Sequence, residues 1–210
     1  EEIPIGEYDE VVTGNKQMTF EDWIECRQLD FLVKVYFDRA LFNEIFEFIS
    51  YLGLSKFDLL LLLFNKHLKR NQKLKSLMRE YILKVKEPLY DSLDEFYKFI
   101  TKKNVEKYRK GIIGGNELTI FRAKMYTECI EELHIVLKDA CLDYLTENGI
   151  NEPLYNQYVA EAINFSLNRK FSFGDFKKDR IKSFSFNFSK AKDNNFSIDP
   201  KSINSETYDF

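Results

Sequence analysis

The sequence predicts an all-α protein, a multi-helix bundle of six to seven helices with a small extended or β element formed by the chain ends. Three observations carry this. Between residues 19 and 168, apolar residues recur at the three-and-four spacing of one helical face. Cap-forming residues such as Thr19, Ser55 and Asn116 stand ahead of those runs, and Gly53 and Gly149 stand behind them. Gly and Pro number only 8 and 4 in 210 residues, so little interrupts helix. A hydrophobic content of 44%, with 20 Phe and 12 Tyr, excludes a wholly disordered chain and supplies material for a sizeable core.

The elements follow in order. Residues 1–18 read as extended: Pro4 and Gly6 discourage helix, and Val11-Val12-Thr13 is a short β-branched stretch before a turn at Gly14-Asn15. A helical domain spans residues 19–168. Thr19 caps a first helix over residues 20–37, with Glu21 and Asp22 at the positive end of its dipole. Its second half, Phe31-Leu32-Val33 and Val35-Tyr36-Phe37, is apolar nearly all round, which predicts a central helix. Asp38 caps the second helix, whose stripe runs through Leu41, Phe42, Ile45, Phe46 and Ile49 and stops at Gly53. Ser55 opens a third, with Asp58 in a capping-box position and a break or kink at Asn71-Gln72. Beyond it Leu74, Leu77, Met78, Tyr81, Ile82 and Val85 form one face. Pro88 ends that run and fits the first turn of the next helix, which carries Leu89, Leu93, Phe96, Tyr97 and Ile100. Asn116 caps a helix running to Gly149, roughly 45 Å long. The last helix begins near Pro153.

Residues 169–192 form a basic aromatic segment, with eight Lys or Arg against Asp175 and Asp179. Phe184, Phe186 and Phe188 alternate with polar residues, the period of a half-buried strand. The first twelve residues carry five acids and no base, so the two ends complement each other and are expected to pair as strands. Residues 193–210 read as a loose tail. The net charge of −3, from 31 Lys and Arg against 34 Asp and Glu, is thus a cancellation between segments. The longest apolar run, residues 59–64, predicts no membrane span. The acidic start predicts no secretory leader, and the composition predicts a cytoplasmic protein. Cys26, Cys129 and Cys141 are too few and scattered for a disulfide framework and read as small buried hydrophobes.

Few residues announce chemistry. His134 lies in Glu131-x-x-His134, half of the motif of di-iron bundles, but Phe64 precedes His67 where the second copy needs a Glu. A metal site is therefore disfavoured. The glycine-rich turn at residues 111–116 opens a helix without a Walker lysine, which leaves Asn116 and Arg122 as candidate anion-binding groups. Aromatic and basic residues interleave over 169–192, yet the whole chain is acidic and no recognition module is visible, so nucleic acid is disfavoured as a partner.

One stretch is more specific. Val11-Val12-Thr13-Gly14-Asn15-Lys16-Gln17-Met18-Thr19-Phe20-Glu21-Asp22-Trp23 resembles the junction after the radical SAM core in cobalamin-binding radical SAM proteins associated with cell-surface polysaccharide genes. In that family a short strand with Thr or Ser and Met-Ser/Thr precedes an acid–aromatic pair that opens a helix. The likeness covers about the first sixty residues. It implies a C-terminal helical region, non-catalytic alone, that completes the substrate pocket or packs on the catalytic barrel. The implied partner is the upstream radical SAM domain of the same polypeptide. A 4Fe–4S cluster, S-adenosylmethionine and cobalamin would be cofactors of that parent enzyme, with none in this chain. The chain lacks the Cys-x3-Cys-x2-Cys run that such a cluster needs. Glu21, Asp22, Trp23 and Arg27 lie nearest the junction and are the substrate-facing candidates under this resemblance. Two rival readings remain: a stand-alone helical protein-interaction module, and a binder of nucleic acid or an anionic ligand through residues 169–192.

Overall fold

In the computed structural model, which describes residues 9–37, 40–169, 181–193 and 206–209, helix α1 (Phe20–Tyr36) opens on a reciprocal capping box. The Asp22 amide donates to Thr19 Oγ1 at 3.2 Å, and the Thr19 amide donates to Asp22 Oδ2 at 2.8 Å. The second half of α1 is central, as its apolar circumference predicts: Phe31, Leu32, Val35 and Tyr36 are all fully buried. The chain continues through α2 (Asn43–Tyr51), α3 (Lys56–Leu62), α4 (Gln72–Lys86), α5 (Leu93–Phe99), α6 (Lys102–Arg109), α7 (Glu117–Glu128), α8 (Ile130–Glu147) and α9 (Pro153–Arg169). A short tail adds β1 (Ile181–Phe184), α10 (Phe188–Asp193) and β2 (Glu206–Asp209). The fold is all-α with one small β element. α1 packs between α4 and α7, while α8 packs on α9 and α3. Aromatic rings tie these layers: Phe31 stacks on Tyr81 at 4.3 Å, Tyr81 meets Phe121 edge-on, and Phe48 lies 4.6 Å from Tyr158.

The described residues hold ten α-helices, more than six or seven, because the long runs are broken. After α3 the chain passes through a π-helical turn (Leu63–His67) and a 3-10 turn (Leu68–Arg70). At the expected break Asn71 Oδ1 accepts from the Leu74 amide at 3.0 Å and starts α4. Pro88 does not sit in a first turn. Ser92 is the cap, its Oγ accepting from the Glu95 amide, so α5 starts at Leu93. Thr101 then caps α6, while Asn104 Nδ2 donates back to the Phe99 carbonyl at 2.8 Å and closes α5. The single helix expected from Asn116 to Gly149 is two. Asn116 caps α7 as expected, but Cys129 leaves the helical region at φ −128°, ψ 21°. Just before it Thr127 Oγ1 donates to the Ala123 carbonyl at 3.0 Å, a contact that bends helices. The bend lets α7 follow α1 and α4 while α8 turns toward α9.

Among the described residues, the strand that pairs with the tail segment comes from the C-terminal end and not from residues 9–18. β1 pairs antiparallel with β2, Ile181 opposite Asp209 and Phe184 opposite Glu206, so part of the expected loose end is strand. Residues 9–14 form no strand, and Val11 and Val12 are exposed. Aromatic packing holds this pair on the helices. Tyr208 on β2 lies 5.0 Å from Phe165 and 5.8 Å from Phe184, and its hydroxyl accepts from the Ser189 amide at 2.9 Å. Phe184, Phe186 and Phe188 are all buried, as their alternation predicts, but the strand ends at Phe184 and Phe188 opens α10. Cys129 and Cys141 are buried as expected, whereas Cys26 is exposed on the outer face of α1. The expectations at Asp38 and at residues 1–8, 170–180, 194–205 and 210 lie outside the described residues. Gly53 ends α2 at φ +72°, the left-handed cap its position predicts.

Truncating the core and the surface separates these roles. Phe31→Ala is expected to lower unfolding stability in urea by about 3–5 kcal/mol. Tyr97→Ala, at a position 57% exposed, should stay within about 0.5 kcal/mol of the unaltered chain.

Candidate functional site

Two polar groupings stand out, one buried and one open. The buried grouping joins α8, α9, α2 and the turn before α2. His134 is 1% exposed; its Nδ1–H donates to the Ile130 carbonyl at 2.7 Å, and Nε2 lies 3.1 Å from Ser166 Oγ. Ser166 Oγ is also 2.6 Å from the Leu41 carbonyl, which accepts from Arg169 Nη2 at 3.2 Å. Arg169 in turn reaches both carboxylate oxygens of Glu44, a fully buried acid, at 2.7 and 2.8 Å. Ser166 thus has one proton facing two acceptors. A charged imidazolium would satisfy both, by donating from Nε2 to Oγ. Burial opposes that charge, and together with the Arg169 guanidinium it outweighs the Ile130 carbonyl, holding the His134 pKa down to about 4. Ser166 and His134 have the chemistry of a nucleophile and base, but both are buried and neither lines the open cleft. Their arrangement is a structural lock between α8, α9 and the 41–44 turn.

The open grouping is a cleft of about 990 Å³. Asp9, Glu10, Val11, Thr13 and Phe20 of α1 supply one part of its lining. Lys86 at the end of α4, the 88–92 connection, Leu93 and Phe96 of α5, and Tyr108 of α6 supply the second. The second wall is aromatic: Tyr90 lies edge-on to Phe96 at 5.7 Å and 5.4 Å from Phe99, which meets Tyr108 at 6.4 Å. Gly114 is required behind it. Its φ is +77°, and a Cβ there would stand 1.9 Å from the Tyr108 ring. Lys86 Nζ sits 5.1 Å from the Phe20 ring centroid, a cation on an aromatic face. Neither α5 nor α6 buries a residue, so this wall stands apart from the core.

The sequence-derived candidates lie beside this cleft without lining it. Glu21 and Asp22 are exposed in the first turn of α1. Asp22 is engaged in the cap, whose Thr19 hydrogen bonds hold its carboxyl below the usual range. Trp23 is half-buried and stacks on Phe20 at 5.8 Å, and Arg27 lies 6.0 Å from the Trp23 ring and 3.6 Å from Asp30. Phe20, between Thr19 and Glu21, is the residue of α1 that lines the cleft. Asn116 accepts from the Thr119 amide at 3.1 Å, so its side chain caps α7, and Arg122 follows on that helix; neither lines the cleft. In the Glu131-x-x-His134 motif Glu131 is exposed and His134 buried, so the two do not share a site.

The cysteines do not fit a 4Fe–4S cluster. Among the described residues no group of three His, Cys, Asp or Glu could hold a metal ion. Burial pushes the Cys141 thiol up to about 12 and raises Cys129, which disfavours the thiolates that iron requires. No described helix is long and apolar enough to cross a membrane. No family model, curated protein or solved structure matches this chain.

No local motif marks Lys86, Tyr90, Asp91 and Tyr108, because the cleft joins segments some eighty positions apart. Glu44 carries no local signal for the same reason, its partner Arg169 being 125 residues away.

The low folded-state pKa of His134 makes a pH prediction. Its ordinary value of 6.5 exceeds the folded value of about 4, so the unfolded chain binds the proton first. The stability it confers is complete above about 6.5 and is lost as pH falls toward 4, a change of about 3 kcal/mol. Asp22 and Asp143, whose carboxyls are held below their ordinary 3.8, lose their contributions at lower pH. Denaturation measured between pH 7 and 4 should show this slope, and His134→Gln should flatten it.

Proposed function

We propose that this chain is the C-terminal helical domain of a radical SAM enzyme of the cobalamin-binding type, non-catalytic alone, which completes the substrate pocket or packs on the catalytic barrel. One juxtaposition supports the reading. The stretch that carries the resemblance, residues 11–23, also supplies a wall of the cleft through Val11, Thr13 and Phe20. A domain joined to a barrel through that stretch would bring the cleft close to the joint. In this reading the cluster, S-adenosylmethionine and cobalamin belong to the upstream domain of the same polypeptide, in a reducing cytoplasm. This chain contributes the aromatic and acidic walls and holds them with α1. Glu21, Asp22, Trp23 and Arg27 then act from beside the cleft, Trp23 by backing Phe20.

A second reading, a stand-alone protein-interaction module, is favoured by the exposed apolar residues on and after α5 and α6: Leu93, Tyr97, Tyr108 and Ile112. The third, anionic-ligand binding through residues 169–192, draws less support, because the Arg169 charge is paired with Glu44.

The coding sequence ahead of Glu1 tests the proposal. An in-frame Cys-x3-Cys-x2-Cys run in the same polypeptide is expected. A native start codon directly ahead of Glu1 would contradict it.

A further inference from the structure

The charge and the walls of the cleft ask for a particular kind of ligand. Asp9, Glu10 and Asp91 put three carboxylates on it against the single ammonium of Lys86. None of the three forms an ion pair with a described residue, and all three are exposed, so their charge is available to a visitor. The same cleft is lined by Phe20, Tyr90, Phe96 and Tyr108, and aromatic ring faces carry the negative end of the quadrupole. Acids and aromatic faces together attract organic cations, which prefer a ring to water more readily than a metal ion does. The chain already displays the interaction: the Lys86 ammonium rests over Phe20 at 5.1 Å. Lys86 is exposed at the end of α4, and its departure would leave that face to another cation.

We propose that this cleft is a receptor for an organic cation, an alkylammonium or guanidinium group, held by aromatic faces and by Asp9, Glu10 and Asp91, with Lys86 as the internal competitor. A volume of about 990 Å³ exceeds a single side chain, so the cation belongs to a polyamine or to a basic peptide segment. The inference deepens the functional reading above by giving the cleft a ligand class. Its test uses only the 210-residue chain, so it can fail while the search for an upstream cysteine run still succeeds.

Calorimetric titration of the full chain with spermidine, with a capped Gly-Arg-Gly-Arg-Gly peptide, and with inorganic phosphate decides the matter. Trp23, the one tryptophan in the sequence, stacks on Phe20 and gives a fluorescence signal from the cleft wall. At least one cation should bind and perturb Trp23, and binding should weaken with added salt. Asp91→Asn and Tyr90→Leu each should weaken it about threefold, the scale of one exposed charge or ring contact. Neither position is in the core, so both variants should keep the fold. Lys86→Met should tighten it about threefold, by removing the competing charge and freeing the Phe20 face. Spermidine binding alone assigns the site to free polyamines, and peptide binding alone assigns it to basic segments. Binding of neither cation, weaker binding by Lys86→Met, or phosphate binding that Lys86→Met abolishes would overturn the proposal.

Discussion

The structure depends on the burial of one half of one helix. Phe31, Leu32, Val35 and Tyr36 of α1 are fully enclosed, and each neighbouring layer grips that turn and a half. Phe31 stacks on Tyr81 of α4, the Tyr36 hydroxyl donates to the Leu133 carbonyl of α8 at 3.2 Å, and the Tyr126 hydroxyl of α7 donates to the Val35 carbonyl. Burying four large side chains removes on the order of several kcal/mol of apolar exposure and leaves the helix axis no freedom. The other end of α1 begins at Phe20, in the wall of the cleft. A rod of 17 residues, about 25 Å long, therefore connects a fully buried part of the core to the open cleft. The capping box at Thr19 and Asp22 keeps that outer end from fraying.

Polar groups divide accordingly. Glu44 pairs with Arg169 and His134 with Ser166 inside the bundle, where an unpaired group would be costly. Such a network specifies how α9 sits on α8 and α2, and removing one partner leaves a buried charge or acceptor behind. Asp9, Glu10 and Asp91 face solvent, and their fields are free for a ligand. The opposite wall belongs to α5 and α6, which bury no residue and are held by contacts among Tyr90, Phe96, Phe99 and Tyr108. A wall of that kind opens locally at low free energy without disturbing the core.

Much of this architecture was legible in the sequence because it is local. The caps at Thr19, Ser55 and Asn116, the break at Asn71 and the stop at Gly53 rest on interactions within a few residues, and the structure has them at those positions. The apolar circumference of α1 and the Phe184, Phe186, Phe188 alternation were equally readable as burial. The break at Cys129 was not, since no glycine or proline marks it and the bend follows from what α7 and α8 pack against. The partner of β1 was not legible, because Tyr208 packs on Phe165 from some forty positions away and no local pattern marks residues 206–209 as a strand. The cleft was hidden most deeply. The notable motif at residues 11–23 pointed to its neighbourhood, but the ring that reaches the opening is Phe20, and its companions arrive from α4, α5 and α6.

The core of α1 and the aromatic wall are energetically separate, since α5 and α6 bury no residue. Hydrogen exchange of the full chain, with and without a saturating concentration of the cation that binds, spermidine or the basic peptide, measures that most directly. In the free chain the amides of α5 and α6 should exchange through low-energy local opening, while those of residues 31–36 and of α8 exchange only near global unfolding. With the cation bound, added protection should be confined to the start of α1, the end of α4 and residues 88–109. Equal protection of α5 and α8 in the free chain, or ligand-induced protection centred elsewhere, would contradict the account.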